Sequence, residues 1–254
     1  MRTSLFAAGF LFATHAMAVD GVFTGYARDL ETKALLYVES HAVSNAGTAR
    51  EMRVVLYQCA DGSPFARKEL SYTRDRIAPG FRFEDARSGY ADGLARDAQG
   101  LEVFERSGSG APLRRERVDA AGLVADAGFD EFVRTRWDEL ESGKAIDAPF
   151  LVPSRLDSMP FRVRKVDEAN IDGETVSVIR LSLAGLLRFF LPDIDVSYRK
   201  SDRQLMRYRG TTNIRDANGK LLVAQIDFPA AERRNVAVDL PALTARPLTA
   251  RCEK

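Results

Sequence analysis

Residues 205–228, LMRYRGTTNIRDANGKLLVAQIDF, decide the fold class, because they have the pattern of two strands joined by a tight turn. Met206 and Tyr208 alternate with Arg207 and Arg209, and this period of two is typical of a strand with one face in water. Between the strands, the pair Asn218-Gly219 tolerates the positive φ angles of a hairpin turn. The stretch therefore predicts an antiparallel β-hairpin.

The same unit recurs along the chain. Residues 52–57 and 65–73 flank Asp61-Gly62, and residues 161–168 and 174–181 flank Asp172-Gly173. Shorter alternating runs predict further strands at 22–28, 35–42, 81–85, 101–106 and 196–199. A series of hairpins predicts one long antiparallel sheet.

Two segments break the alternation and predict short helices. In residues 129–140 the apolar side chains recur at helical spacing, and Gly143 is a natural stop. Residues 183–191 are apolar except for Arg188, and Pro192 ends the run. Such a helix needs a packed core or an apolar ligand around it. The fold class predicted is therefore α+β, a long sheet of hairpins wrapped around two short helices.

The domain organisation depends on the proline-containing stretch 149–160. It fits an edge strand with bends, but it also fits a joint between two lobes near 145–160. We expect one continuous domain over residues 19–254, with the two-lobe arrangement as the alternative. A chain of this length is ample for a conventional core.

The order hairpin, apolar helix and strand pair over residues 161–228 resembles a known group of proteins. In the strand pair, VSYRKSDRQLMRYRGT is followed by NIRDANGKLLVAQIDF. It is similar to the C-terminal part of the exported half-barrel proteins that include the outer-membrane lipoprotein carrier and receptor, with related periplasmic families of unknown function. The resemblance implies a sheet around central helices that leaves an apolar cavity for acyl chains. The additional N-terminal strands and two cysteines depart from the carrier pattern.

Residues 1–20, MRTSLFAAGFLFATHAMAVD, match an export signal part by part. Arg2 supplies the positive start, residues 5–13 form a short apolar run, and Ala16-Met17-Ala18 gives the small-x-small cleavage pattern. The sequence predicts a signal peptide over residues 1–18, cleavage between Ala18 and Val19, and a periplasmic or secreted product. The apolar run is too short for a membrane span, and no second run of adequate length follows.

Charge and cysteine content limit the classes of partner. The 37 basic residues fall to 36 when the segment with Arg2 is removed, against 36 acidic residues, so the mature chain is neutral. A nucleic-acid binder normally carries a basic excess, and that class is disfavoured. Cys59 and Cys252 can form a disulfide in an oxidising compartment, which would fasten the C-terminal tail to the sheet. Two unpaired thiols or an intermolecular link are the alternatives.

Residues that could carry chemistry are sparse. His41 is the only histidine after residue 18, and no histidine or cysteine cluster has the spacing of metal ligands, so we expect no metal and no cofactor. His41 shares a strand face with Glu39, which allows a pair of the hydrolase type, but no Gly-x-Ser-x-Gly motif occurs. Asp126, Asp130 and Glu131 fit the first turn of a helix better than a catalytic pair.

Three functions remain open. The first is an exported binder of a lipid or other apolar small molecule, with Trp137, Leu186, Leu187 and Phe190 as candidate lining of a cavity between sheet and helices. The second is an exported hydrolase that uses His41 and a carboxylate, although we consider an enzyme the less favoured class. The third is an assembly or scaffold protein of the cell envelope, with a protein partner and no ligand.

Overall fold

The computed structural model describes residues 19–184 and 192–253, and fourteen strands in them form one antiparallel sheet. Along the chain the strands are β1 (Val19–Asp29), β2 (Leu35–Ala46), β3 (Met52–Gln58), β4 (Pro64–Ser71), β5 (Gly80–Asp85), β6 (Tyr90–Asp97), β7 (Gly100–Arg106), β8 (Arg114–Val118), β9 (Ile146–Val152), β10 (Asp157–Ile171), β11 (Glu174–Leu183), β12 (Ile194–Arg199), β13 (Leu205–Arg215) and β14 (Leu221–Asp227). The predicted α+β class with a long antiparallel sheet is confirmed.

The sheet consists of two meanders joined at one seam. Its order is β8-β7-β6-β5-β4-β3-β2-β1-β14-β13-β12-β11-β10-β9. Every pair in it therefore joins strands that follow each other in sequence except β1 and β14, and β8 and β9 lie at the two edges. At the seam Tyr26 pairs with Asp227 and Ala27 with Ile226. We call β1–β8 the first arm and β9–β14 the second arm.

Each predicted hairpin is present. The turns use the glycines that the sequence offered, with φ of +86° at Gly62, +84° at Gly173 and +80° at Gly219. Two strands, β6 and β8, were not predicted, β9 was one of two alternatives for its stretch, and all three have an atypical composition. β6 (YADGLARD) is poor in branched residues, β8 (RRERV) is almost wholly charged, and β9 (IDAPFLV) contains a proline.

The first predicted helix is present as two pieces, α1 (Gly128–Thr135) and α2 (Trp137–Glu141). They are separated at Arg136, and just before it the Thr135 hydroxyl donates to the Glu131 carbonyl oxygen at 2.9 Å, a local bond that bends helices. Gly128 lets α1 begin against the loop before β5, since a Cβ there would lie 2.0 Å from the Ile77 carbonyl oxygen. Gly143, with φ +86°, follows α2 as predicted.

The second predicted helix, 183–191, needs a correction at its start. Leu183 is the last residue of β11 and pairs with Phe161. The strand therefore continues two residues beyond the predicted end at 181, into the start of the apolar run. Residues 185–191 lie outside the described residues.

Two apolar clusters fill the concave side of the sheet. One lies against the first arm and the seam, and includes Tyr37, Phe65, Phe83 and Leu94. The other lies against the second arm and includes Phe132, Val133, Trp137 and Leu140 of the helices together with side chains of β10–β12. Leu205 and Tyr208 contact both clusters.

The stretch around 145–160 forms sheet edge. β9 is the last strand in the order, with Pro149 opposite Pro160, and a 3₁₀ turn at Pro153–Arg155 leads into β10. The loop before α1 covers the open edge of β9, because Val124 donates to Pro149 and accepts from Leu151 at 2.8 and 2.9 Å.

The C-terminal tail covers the convex side of the first arm. Helix α3 (Leu240–Thr244) lies against β2 and β3, and the Thr249 amide donates to the Pro64 carbonyl oxygen at 2.8 Å. Cys252 is bonded to Cys59 across a separation of 193 residues, with the two Cα atoms 5.5 Å apart. The tail is thereby fixed beside the end of β3.

Among the described residues, no helix combines the length and the apolar character that a membrane crossing requires.

Candidate functional site

A cavity of about 710 Å³ lies between the two arms of the sheet, beside α1. Close packing normally leaves few voids larger than a water molecule in a protein interior, so a space of this size is a feature of the fold. It reaches the surface near Gly47 and Arg234, both of which are exposed.

The wall on the side of the helices and the second arm is largely apolar. Phe129 of α1, Phe150 of β9 and Leu181 of β11 contribute to it, and Ile194, Val196 and Leu205 continue it along β12 and β13. Phe129 and Phe150 are in edge contact, with ring centroids 6.2 Å apart. Ligand pockets are typically lined in this way, by aromatic and aliphatic side chains.

The wall on the first arm carries charged side chains. Directly paired residues on β1–β6 form one row on the concave face, because paired neighbours in a sheet point to the same side: Phe23, His41, Val55, Lys68, Phe83 and Asp92. Glu39 and Arg53 lie two places from this row, on the same face. The first arm therefore presents titratable groups to the cavity.

His41 and Glu39 form a pair, as their shared strand face allowed. His41 Nε2 is 3.0 Å from Glu39 Oε2, and the imidazole stacks on Phe23 with ring centroids 4.2 Å apart. Burial lowers the pKa of His41 below its usual value despite Glu39, so the ring is neutral at pH 7. Within residues 19–184 and 192–253, Nδ1 has no hydrogen-bond partner. The hydroxyl of a hydrolytic triad is thus not in place there.

Lys68 and Asp126 form a buried ion pair two strands away from this histidine, with Val55 of β3 between Lys68 and His41 in the paired row. Lys68 Nζ donates to Asp126 Oδ2 at 2.6 Å, and the lysine side chain is only 6% exposed. Burial alone would lower the pKa of Lys68, but the carboxylate of Asp126 raises it above the usual value. Asp92 accepts a hydrogen bond from the Tyr90 hydroxyl at 2.8 Å, and burial raises its pKa to about 7.

Arginines near α1 are bound to carboxylates. Arg76 bridges Glu51 at 2.8 Å and Glu131 at 3.1 Å. Arg53 contacts the other oxygen of Glu51 at 2.9 Å, and Arg134 contacts Glu131 at 2.8 Å. Asp130 is also occupied, since it accepts a hydrogen bond from Tyr198 at 2.7 Å.

Arg233 differs from these arginines. It follows the 3₁₀ turn Ala230–Glu232, and its neighbour Arg234 is fixed by two backbone hydrogen bonds to Val22, at 2.9 and 3.0 Å. Arg233 lines the cavity with its guanidinium carbon 4.5 Å from the centre of the Phe23 ring. Nη2 donates to the Leu205 carbonyl oxygen at 2.6 Å, whereas Nε is buried without a partner among the described residues.

The sequence-predicted lining residues have separate outcomes. Trp137 is buried against Tyr198, at 6.5 Å between ring centroids, and does not line the cavity, because it faces the second apolar cluster below α2. Leu186, Leu187 and Phe190 lie outside the described residues. Of the three acids, Asp130 and Glu131 are in the first turn of α1, but Asp126 precedes it with φ +46° and binds Lys68.

Most of the polar cavity lining was missed by sequence reasoning. Lys68 and Asp92 lie in strands at alternate positions that look like a solvated face, and nothing local shows that this face turns inward. Within the described residues, the structure contains no group of three or more acidic, histidine or cysteine side chains arranged to hold a metal ion.

No protein-family model matches the chain, and no curated protein matches it. Among solved structures, the chain is similar to a β-barrel-like protein of the family of unknown function DUF1849 from Brucella abortus. The identity is 8% over 87% of this chain and 98% of the other, with a TM-score of 0.39.

Two further structures show the same level of similarity. A DUF1329 family protein from Desulfovibrio piger matches with 8% identity over 87% of each chain and a TM-score of 0.30. A domain assigned to outer-membrane lipoprotein sorting, from Vibrio parahaemolyticus, matches with 8% identity over 85% of each chain and a TM-score of 0.27. The predicted resemblance to half-barrel proteins is confirmed in general architecture, and similarities this distant carry no information on function.

Proposed function

We propose that the protein is exported and that it binds an apolar or lipid-like small molecule in the cavity between the two arms. The observation that carries this proposal is the cavity itself, about 710 Å³ with a largely apolar wall beside α1. Sites for small organic ligands are usually pre-formed clefts of about 300–1,000 Å³ that are apolar with a few polar groups.

Export is supported by the signal pattern of residues 1–18 and by the Cys59–Cys252 bond, which persists in oxidising compartments. We propose a periplasmic or secreted location and cleavage between Ala18 and Val19. The intact mass of protein recovered from the periplasm is expected to correspond to a chain that begins at Val19.

Leu186, Leu187 and Phe190 stay part of the proposal as contributors to the apolar wall. The support is indirect: Leu181 and Ile194, the nearest described residues of β11 and β12 that line the cavity, flank this segment in sequence.

The test is a titration of the delipidated protein with N-phenyl-1-naphthylamine, an uncharged probe that fluoresces in apolar surroundings. Val196 lines the cavity and is buried, so Val196→Phe places a ring in the space and is expected to abolish binding while the protein stays folded. Val223→Phe is the matched control, because Val223 is 37% exposed on β14 and does not line the cavity. Failure of the parent protein to bind the probe, or equal binding by all three proteins, would reject the cavity as the site.

A further inference from the structure

The cationic side chains of the cavity differ in whether a carboxylate neutralises them. Six arginines and lysines line the cavity, and four of them lie within 4.0 Å of an acidic side chain: Arg53, Lys68, Arg76 and Arg134. Arg234 is exposed to water. Arg233 is partly buried and makes no ion pair within residues 19–184 and 192–253. Residues 1–18 and 185–191 contain no aspartate or glutamate that could supply one.

The partial burial of the Arg233 guanidinium lowers the stability of the folded protein unless its charge and its N–H groups find partners. Removing a guanidinium from water is unfavourable unless its charge is paired and its N–H groups are hydrogen-bonded. Arg233 has one hydrogen bond, to the Leu205 carbonyl oxygen, and its Nε is buried and unpartnered. Arg53 Nε, on the same cavity, is also buried without a partner among the described residues. Buried donors of this kind normally meet water or a ligand.

The charges around Arg233 increase this cost. Burial lowers the pKa of Arg233 to about 10, and although Asp130 opposes this effect, Arg199, Arg134 and Arg53 add to it. Asp130 itself is held by Tyr198 at 2.7 Å. The cavity as a whole is not cationic, since seven acidic residues line it beside the six basic ones. An incoming anion would therefore be held by local geometry at Arg233 and not by net charge.

Resting on the proposed function, we propose that Arg233, assisted by Arg53 on the same cavity, binds the acidic group of an amphiphile whose apolar part occupies the cavity. The shared chemistry of that group is a carboxylate or a phosphate, which a guanidinium binds through two parallel hydrogen bonds. Apolar side chains are available for the rest of the amphiphile, because Phe23 lies under the guanidinium and Leu205, Ile194 and Phe129 line the same cavity.

The test uses two probes that share one apolar body, 11-(dansylamino)undecanoic acid and its methyl ester. A charge-assisted hydrogen bond stabilises a complex enough for the acid to bind about 10-fold more tightly than the ester, or better. Arg233→Met is expected to weaken the acid to the affinity of the ester and to leave the ester unchanged. Arg162→Met is the control, because Arg162 is on the convex side in an exposed pair with Asp147, and it should keep the preference for the acid.

A second variant and a second readout protect the test against misfolding. Arg233→Lys retains the charge and is expected to retain part of the preference. Ligand-free Arg233→Met is expected to melt at or above the parent temperature, since it removes an unpaired buried charge. A lower melting temperature together with an unchanged ratio of the two probes would mean that Arg233 is structural, and would overturn the proposal.

Competition separates the chemical classes. Dodecanoic acid and dodecyl phosphate are each compared with dodecanol and with inorganic phosphate, and the tighter of the two acids identifies the head group. If inorganic phosphate alone displaced the probe as strongly as dodecyl phosphate does, the proposal that the ligand is an amphiphile would be rejected. Equal binding of acid and ester in every protein would overturn the role of Arg233 but leave the proposed function intact, whereas no binding of either probe would reject both.

Discussion

The two arms of the sheet are covered on opposite sides. In the second arm, α1 and α2 lie on the concave face, and their apolar side chains pack against β10–β12. In the first arm the C-terminal tail lies on the convex face of β2 and β3, and on the concave face Glu39, Arg53 and Lys68 lie beside the buried residues of the first apolar cluster. The cavity lies beside α1, where the helices no longer cover the concave face.

This difference shows how a curved sheet can be stable and still keep a space inside. The second arm has a conventional core, so its side chains can be close-packed. The first arm buries apolar residues of its convex face, such as Val54 and Leu56, where the tail lies. On its concave face, buried side chains of the first apolar cluster lie beside the polar groups that line the cavity.

The largest expected effect comes from truncating a ring in the packed arm. Phe132→Ala removes a buried side chain of α1 and is expected to lower the free energy of unfolding by about 3–5 kcal/mol. Phe23→Ala, on the cavity in the first arm, should cost about half as much, because the cavity already borders that ring. Urea unfolding of both variants measures the contrast, and equal losses would show that the two arms are packed alike.

The next effect concerns the outer cover of the first arm. Replacing Cys59 and Cys252 by serine releases the tail and removes the constraint that the bond places on the unfolded chain. We therefore expect the free energy of unfolding to fall by about 2–5 kcal/mol. Because the tail contacts β2 and β3, hydrogen exchange should rise first in those strands and stay low in β10–β12. A uniform rise over both arms would contradict the separate covers.

The smallest effect is a pH dependence confined to the first arm. Asp92 has a pKa raised to about 7 by burial, so it holds a proton in the folded state that the unfolded chain has already lost. Its stabilising contribution is complete below about pH 4 and is lost as the pH rises through 7. As the pH rises from 5 to 8, we expect the free energy of unfolding of Asp92→Asn to increase by about 1–2 kcal/mol relative to that of the parent. One group can change this free energy by at most about 1.4 kcal/mol per pH unit.

The measurement for Asp92 is the difference between the pH dependences of the free energy of unfolding of the two proteins. The difference is needed because carboxylates with lowered pKa values, such as Glu51, make the stability of both proteins rise with pH at the acidic end. A difference that is constant from pH 5 to pH 8 would show that Asp92 is ionised like an exposed carboxylate.

The sequence predicted those parts of the fold that depend on neighbours along the chain. Asp172-Gly173 fixed its hairpin because positive φ is needed at both positions, and these are +52° and +84°. β8 could not be predicted, since five residues of RRERV bury almost nothing and owe their conformation to pairing with β7. Local pattern was therefore sufficient wherever the turn chemistry was explicit.

The candidate site was much less predictable than the fold. Lys68 and Asp126 are 58 residues apart, and their contact depends on how β4 and the start of α1 meet in space. Arg233 had no signal at all, because its position follows from a turn after β14, and sequence does not show that no carboxylate among the described residues lies within ion-pair distance of it. The position of Trp137 in the second cluster has a related lesson: helical spacing shows that a side chain is buried, but not whether it faces a core or a cavity.

The seam between β1 and β14 has a consequence for the order of folding. Every other strand pair of the described sheet joins sequence neighbours, so each arm can form from local hairpins, whereas the seam must close a loop of almost the whole chain. In a chain that crosses a membrane N-terminus first, the edge of β1 that pairs with β14 would stay unpaired until the last strand arrives. The cavity draws its walls from both arms, and so in such a chain it would be complete only after β14 has paired with β1.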